Sequence, residues 1–218
     1  GEENIQSGLW SFVFAFSLVL IYMIFYYNRA GLVANIALIA NIFFIIGTLA
    51  SLGAALTLPG IAGLVLVIGM SVDANVLIYE RIREELRKGK GIKLAIQDGY
   101  KHAYSAIIDA NITSLLTAVV LAYFGSGPIQ GFATTLIIGV FTSLFSAIFI
   151  TRIIFSHMLD KKWNIKFSNN FTEKLFTNTS IDFLSKRKLY YGFSLLIVIA
   201  GVVSLSMRGL DGGVEFTG

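Results

Sequence analysis

The chain has 218 residues, 56% of them hydrophobic and only 14% charged, with a mean hydropathy of +0.76. A soluble domain holds about 25% charged and about 45–50% apolar residues, so an ordinary soluble globular protein is excluded. With no cysteine there is no disulfide framework, thiolate metal site or thiol nucleophile, and the net charge of +4 fits basic residues gathered at one membrane face better than a nucleic-acid footprint.

Residues 1–8 are acidic and lack a basic n-region, so no signal peptide is read there. Polar sequence beside a span at each end leads to the expectation that the chain is a piece of a larger protein. Apolar runs of roughly 20 residues, the length that crosses a bilayer as a helix, then follow in order. The first is residues 8–27, closed by a very short turn at Asn28-Arg29-Ala30. The second is 31–56, long for one crossing and so expected to tilt or bend near Gly47 or Gly53. Thr57-Leu58-Pro59-Gly60 reads as a break, and the third run is 61–79. A charged segment from Glu80 to Lys101 carries Ile82, Leu86, Ile92, Ala95 and Ile96 at spacings that suit a helix lying at the interface, interrupted at 89–91. The fourth run is 103–124, Gly125-Ser126-Gly127-Pro128 is a turn, and the fifth run is 129–154. Residues 155–188 read as a polar, Asn-rich cytoplasmic linker, and 189–207 as a sixth span before the final segment to Gly218. The expected fold is therefore an all-α membrane protein of six transmembrane helices.

Sixteen of the seventeen Lys and Arg residues fall on alternate connections: Arg29, the seven between Arg81 and Lys101, and the eight between Arg152 and Lys188. The positive-inside rule puts those connections in the cytoplasm and both termini outside. The two external loops, 57–60 and 125–128, are too short to hold a domain.

The third span carries a single carboxylate, Asp73, in a mostly apolar run. A charge facing lipid at this depth costs ~3 kcal/mol or more, so it needs a partner or a task. Asp73 stands eight residues before Arg81, and Asp109 eight residues after Lys101. Both therefore lie about 12 Å from the cytoplasmic ends of neighbouring antiparallel helices. Each opens the same tripeptide, Asp73-Ala74-Asn75 and Asp109-Ala110-Asn111. Ser105, Asp109, Thr113 and Thr117 recur at every fourth position, one polar stripe, which predicts a fourth span central in the bundle. Two readings of Asp73 stand side by side: a protonatable group in a relay, or a carboxylate hydrogen-bonded to the fourth span that fixes packing. The same choice holds for Asp109, whose hydroxyl neighbours offer it structural partners. Asn75 and Asn111 are expected to hydrogen-bond across helices. Small residues recur every fourth position at Gly131, Thr135, Gly139, Ser143 and Ala147, and again at Gly47, Ser51 and Ala55, stripes that let helices approach closely. An intramembrane aspartic protease is the enzymatic alternative, but the Tyr-Asp and Gly-x-Gly-Asp motifs are absent; no phosphate-binding Gly-x-x-x-x-Gly-Lys-Ser/Thr loop is present, and no metal site is expected.

Gly69-Met-Ser-Val-Asp-Ala-Asn-Val-Leu-Ile-Tyr-Glu-Arg-Ile-Arg-Glu-Glu85 resembles the fourth-helix signature of SecD, in the SecD/SecF family of protein-export membrane subunits. Residues 109–118 (Asp-Ala-Asn-Ile-Thr-Ser-Leu-Leu-Thr-Ala), 125–133 (Gly-Ser-Gly-Pro-Ile-Gln-Gly-Phe-Ala) and 1–8 (Gly-Glu-Glu-Asn-Ile-Gln-Ser-Gly) agree with it, covering about residues 1–160. Ile181-Asp-Phe-Leu-Ser-Lys-Arg-Lys188, the sixth span and Gly209–Gly218 resemble the start of SecF, as in a natural SecD–SecF fusion. The resemblance implies the RND superfamily, with two pseudo-symmetric six-helix halves. Residues 1–154 would be SecD spans two to six, 155–188 the linker, and 189–218 SecF span one with the start of an external segment. It further implies binding to the SecYEG translocon, preprotein substrates, residence in the bacterial cytoplasmic membrane, and no cofactor other than protons as coupling ion. The family's fourth-helix aspartate, matched by Asp73, belongs to its proton path, and Asp109 is a weaker candidate. The remaining groups of the path would lie in the rest of the SecF half. The readings that compete with this are a non-conducting scaffold for a partner channel and an RND exporter of lipids or drugs.

Overall fold

The computed structural model describes residues 2–53, 57–173 and 184–209, and among them it is helical with no strand. The expectations for 54–56 (including Ala55), for 174–183 and for 210–218 lie outside the described residues. Among the described residues, six helices are long and apolar enough to cross a membrane: Gln6–Tyr27, Arg29–Ser51, Leu58–Arg87, Ile92–Phe124, Pro128–Asp160 and Arg187–Met207. The chain divides into two compact units, Gly1–Glu173 and Lys174–Gly218. The second contains α7 (Arg187–Arg208), 22 residues and so about 33 Å of helix, enough for one crossing.

In the first unit, α1 (Glu2–Tyr27) and α2 (Arg29–Ser51) are joined by Asn28 alone, whose φ of 56° is one that asparagine tolerates better than most residues. The second span is shorter than expected, which removes the length argument for a tilt or bend. The helix ends at Ser51, and Gly53 takes a φ of 63° just beyond, the conformation that terminates helices. Pro59-Gly60, expected as a break, instead lies in the first turn of α3 (Leu58–Arg87). Thr57 caps that helix, its Oγ1 accepting the Gly60 N–H at 3.2 Å, and proline is tolerated there because its missing N–H has no partner in a first turn.

α3 has 30 residues and α4 (Ile92–Phe124) has 33, about 45 and 50 Å, well beyond the roughly 30 Å of a hydrocarbon core. Residues 80–101 therefore form no separate interfacial helix; they are the ends of α3 and α4, closed by the turn 88–91. The apolar positions that suggested an interfacial face pack helix to helix instead, with Ile82, Ala95, Ile96 and Tyr100 buried together. Gly99 makes this possible, because a Cβ there would sit 2.8 Å from the backbone nitrogen of Ile82. At the tip the buried Glu85 carboxylate pairs with Lys88 at 2.6 Å and Lys90 at 2.5 Å. Lys90 also meets Asp98 at 2.5 Å, and these two hydrogen bonds, to Asp98 and then Glu85, hold its ammonium above the usual lysine value.

α5 (Pro128–Phe145) runs through one π segment, Ser146–Ile150, into α6 (Thr151–Asp160), a single course of 33 residues. Tyr100 donates to Thr151 Oγ1 at 2.5 Å, and Thr151 donates on to the Ala147 carbonyl, tying α4 to the π segment. The small-residue stripe of this helix faces inward: Thr135, Gly139, Ser143 and Ala147 are buried. A Cβ on Gly139 would lie 2.9 Å from the Cβ of Val67 on α3. The stripe on α2 does not pack, since Gly47 and Ser51 are exposed and nothing stands within 4 Å of a Cβ at Gly47.

α3 is the central helix, with α4 and α5 packed on it. The prediction that the fourth span is central is corrected: only 17% of its apolar window is buried, against 50% for α3. Its polar stripe reports a face in need of a partner, and within this unit that face is left outward. The apolar core has two clusters. One includes Met23, Ala34, Ala74, Ile78, Tyr79, Ile107 and Ala147, and the other Ile45, Leu49, Val67, Ala118 and Leu136.

Residues 155–173 are not a free linker. The first six complete α6, and 163–173 fold back beneath the α1–α2 turn. The Ala30 N–H donates to the Lys166 carbonyl at 3.1 Å, Asn28 Nδ2 to Asn169 Oδ1 at 2.7 Å, and Asn169 Nδ2 to the Phe25 carbonyl at 2.8 Å. Phe167 fills the space between Tyr79 and Phe155. Arg83 is 5% exposed; it donates to Glu80 at 2.6 Å and to the Thr172 carbonyl at 2.8 Å, and lies over the Tyr26 ring. Tyr27 donates to the same Glu80 oxygen at 3.0 Å. This strap anchors the end of α3 that lies two to three turns beyond Asp73.

Candidate functional site

α3 and α4 leave a groove of about 240 Å³ beside Asp73. Small side chains make the space: Ala74 on α3 and Ala106 and Ala110 on α4. Apolar walls come from Met70, Leu77 and Ile107, and the polar groups are Asp73, Asn111 and Ser114. The Asp73 side chain is exposed to this groove, and its carboxylate has no hydrogen-bond or ion-pair partner among the described residues. The packing alternative for Asp73 required a hydrogen bond to the fourth span; that bond is not formed.

Asp109 does not join it. Asp109 is exposed on α4, outside the residues that line the groove, although its neighbour Ala110 lines it. Ser105, Thr113 and Thr117 are exposed with it on the outward stripe. The hydroxyls do not satisfy the carboxylate. Thr113 donates to the Asp109 carbonyl at 3.0 Å and Thr117 to the Thr113 carbonyl at 3.1 Å, each bonding its own helix one turn back.

The two asparagines also bond within their own helices rather than across them. Asn75 Nδ2 donates to the Ser71 carbonyl at 3.0 Å and Asn111 Nδ2 to the Ile107 carbonyl at 2.8 Å. Both side chains are buried, and both Oδ1 atoms lack a protein partner. The interhelical hydrogen bonds expected of them are thus absent, because the i−4 carbonyl is the nearer acceptor.

The sequence reading missed a level of buried polarity. Asn41, Ser71 and Ser146 are fully buried with unpaired side-chain atoms. Along their helices, Asn41, Ser71, Asn111 and Ser146 each fall between residues of one apolar cluster and residues of the other, and so does Asp73. Polar groups from four elements therefore sit at the boundary between the two halves of the core. Ser146 opens the π segment, and such irregular turns are found disproportionately at functional positions. A lone Ser or Asn in an apolar run carries little signal in sequence, since one such residue per span is ordinary packing.

A family described as protein export membrane protein SecD/SecF, C-terminal, matches residues 1–161. The chain belongs to the SecD/SecF family. Among similar proteins, the protein translocase subunit SecD of Rhodothermus marinus is 58% identical over 159 residues, covering 73% of this chain and 26% of that protein. The protein translocase subunit SecDF of Bacillus subtilis is 34% identical over 232 residues, covering 99% of this chain and 32% of that protein. The crystal structure of SecDF, a translocon-associated membrane protein from Thermus thermophilus, matches with a TM-score of 0.88 at 35% identity, over 98% of this chain and 29% of that one. SecDF in its super-membrane-facing form matches with a TM-score of 0.83 at the same identity. The chain thus spans about a third or less of the length of these SecD and SecDF relatives. The match to SecDF of Bacillus subtilis extends over 99% of the chain, whereas the match to SecD of Rhodothermus marinus covers 73% of it and the family match ends at residue 161.

Proposed function

We propose that the chain is the membrane-embedded portion of an accessory subunit of the bacterial Sec preprotein translocase. It acts in the cytoplasmic membrane beside the SecYEG channel and uses the proton motive force to promote protein export. Membership of the SecD/SecF family supports the export role. The observation that carries the coupling is Asp73, a carboxylate without a protein partner, held in a groove between two apolar spans. An ionisable group in such a place is a functional one by default. Protonation removes the cost of a charge there and deprotonation restores it, so the groove is more favourable closed with the proton on and open to water with the proton off. α3 is strapped at its cytoplasmic end through Arg83 and Thr172, whereas α4 is the less enclosed helix. The motion that follows protonation is therefore a shift of α4 against α3. The outward stripe of Ser105, Asp109 and Thr113 is the face that meets the rest of the SecF half.

In the full-length protein, Asp73→Asn fixes the neutral form and is expected to abolish proton-dependent stimulation of preprotein export while leaving the protein folded in the membrane. Stimulation equal to wild type would overturn the coupling and leave the scaffold role for a partner channel.

A further inference from the structure

A second cavity lies on the other side of the bundle, between α2 and α6. It holds about 400 Å³, within the ~300–1,000 Å³ range of small-molecule sites. Leu32, Val33 and Ile36 form one wall, and Ile154 and Met158 the other. Its polar lining is confined to one end, where Arg29, His157 and Trp163 stand. The indole meets the imidazole edge-on, with ring centres 6.5 Å apart. Arg29 is fixed rather than free: its Nη1 donates to the Asn164 carbonyl at 2.9 Å. That uses one of five guanidinium N–H groups and leaves the others for an anion. Lys161 and Lys162, both exposed, occupy the turn that carries Trp163; Asp160 is the carboxylate beside them.

From this arrangement we infer that the α2–α6 cavity is a binding site for one anionic phospholipid, with its phosphate on Arg29 and an acyl chain along Leu32, Ile36 and Ile154. Three features of the cavity select that occupant. The cavity lies between spans whose outward residues Leu32, Ile36 and Ile153 are exposed apolar side chains, so its long axis borders the lipid. Its only charged lining residue is cationic, and two more lysines flank it, which complements a phosphate. The tryptophan stands at the polar end, where an amphipathic ring sits at headgroup level. The charge distribution assigns that end to the cytoplasmic leaflet. Residues 163–166 reach this site as part of the strap, so a lipid bound here also braces the segment that holds α3. The inference needs the membrane reading but not the proton coupling of Asp73.

The test is native mass spectrometry of the full-length protein released from nanodiscs of phosphatidylglycerol or of phosphatidylcholine, with inorganic phosphate added in a separate arm. The expected result is one retained phosphatidylglycerol that free phosphate does not displace, and little phosphatidylcholine. The double variant Lys161→Gln/Lys162→Gln, which touches no packed residue, should weaken retention by about fivefold for each cation removed. Ile36→Trp, placed at an exposed wall residue, should fill the cavity and abolish retention, and a preserved melting temperature shows that it folds. Equal retention of both lipids, or undiminished retention in both variants, would overturn the proposal. So would a photocrosslinker at Leu32 that captures a second copy or another part of the chain in place of lipid.

Discussion

Arg83 and Arg81 stand two positions apart on α3 and have opposite worth. Arg81 pairs with Glu84 at 2.8 Å in the open, with both side chains more than 40% exposed. Such pairs contribute about 0–1 kcal/mol. Arg83 is buried and its guanidinium serves Glu80, the Thr172 carbonyl and the Tyr26 ring together. Charge-assisted hydrogen bonds of that kind are each worth about 1.5–3 kcal/mol, and the abandoned carbonyl would keep its desolvation cost. Arg83→Ala should therefore lower stability by about 2–4 kcal/mol, and Arg81→Ala by less than 1 kcal/mol. Thermal unfolding in a fixed detergent, followed by intrinsic fluorescence, measures both. In the sequence the two arginines are indistinguishable members of one basic run. Burial separates them, and burial comes from residues as far as 89 positions away.

At the scale of the element, glycine divides in the same way. Gly139 on α5 and Gly47 on α2 both belong to stripes of small side chains at every fourth position. On Gly139 a methyl group would meet the branched side chain of Val67 and approach its Cβ to 2.9 Å. Val67 is stiff at χ1 and fully buried, so it cannot swing aside. Gly139→Ala should cost about 1–3 kcal/mol as overpacking. Gly47→Ala meets nothing, and removing a helix-interior glycine should leave stability unchanged or raise it by up to about 1 kcal/mol. Melting temperatures of the two variants moving in the same direction would contradict this packing. A small-residue period says only that a helix is able to approach another closely. Whether one stands there is a property of the bundle, and α5 has α3 while this face of α2 has no neighbour in the unit. Helix ends behaved likewise. Pro59-Gly60 breaks a helix when read from its N-terminal side and starts one when Thr57 caps it, so the same four residues closed one expected element and opened the real one.

At the scale of the whole molecule, sidedness is open to direct measurement because the chain has no cysteine to interfere. Lys93→Cys and Ser126→Cys introduce single thiols at exposed positions at opposite ends of α4. The charge distribution predicts that an impermeant maleimide added outside intact cells labels Ser126→Cys and leaves Lys93→Cys unmodified until the membrane is opened. The reverse pattern would invert the topology. Sequence alone determined the membrane class, the number of long apolar helices, the isolation of Asp73 in one of them, and the family. These follow from length, hydropathy, charge and motif, which are properties of consecutive residues and need no neighbour. Tertiary structure decided that α3 rather than α4 is central, that Asp73 faces a groove without Asp109, that Asn75 and Asn111 bond their own helices, and that 163–173 strap the end of α3. Each of those depends on which faces are covered. A polar stripe or a buried asparagine states a need for a partner, but only the packed bundle determines whether that need is met by the same helix, by another, or left open.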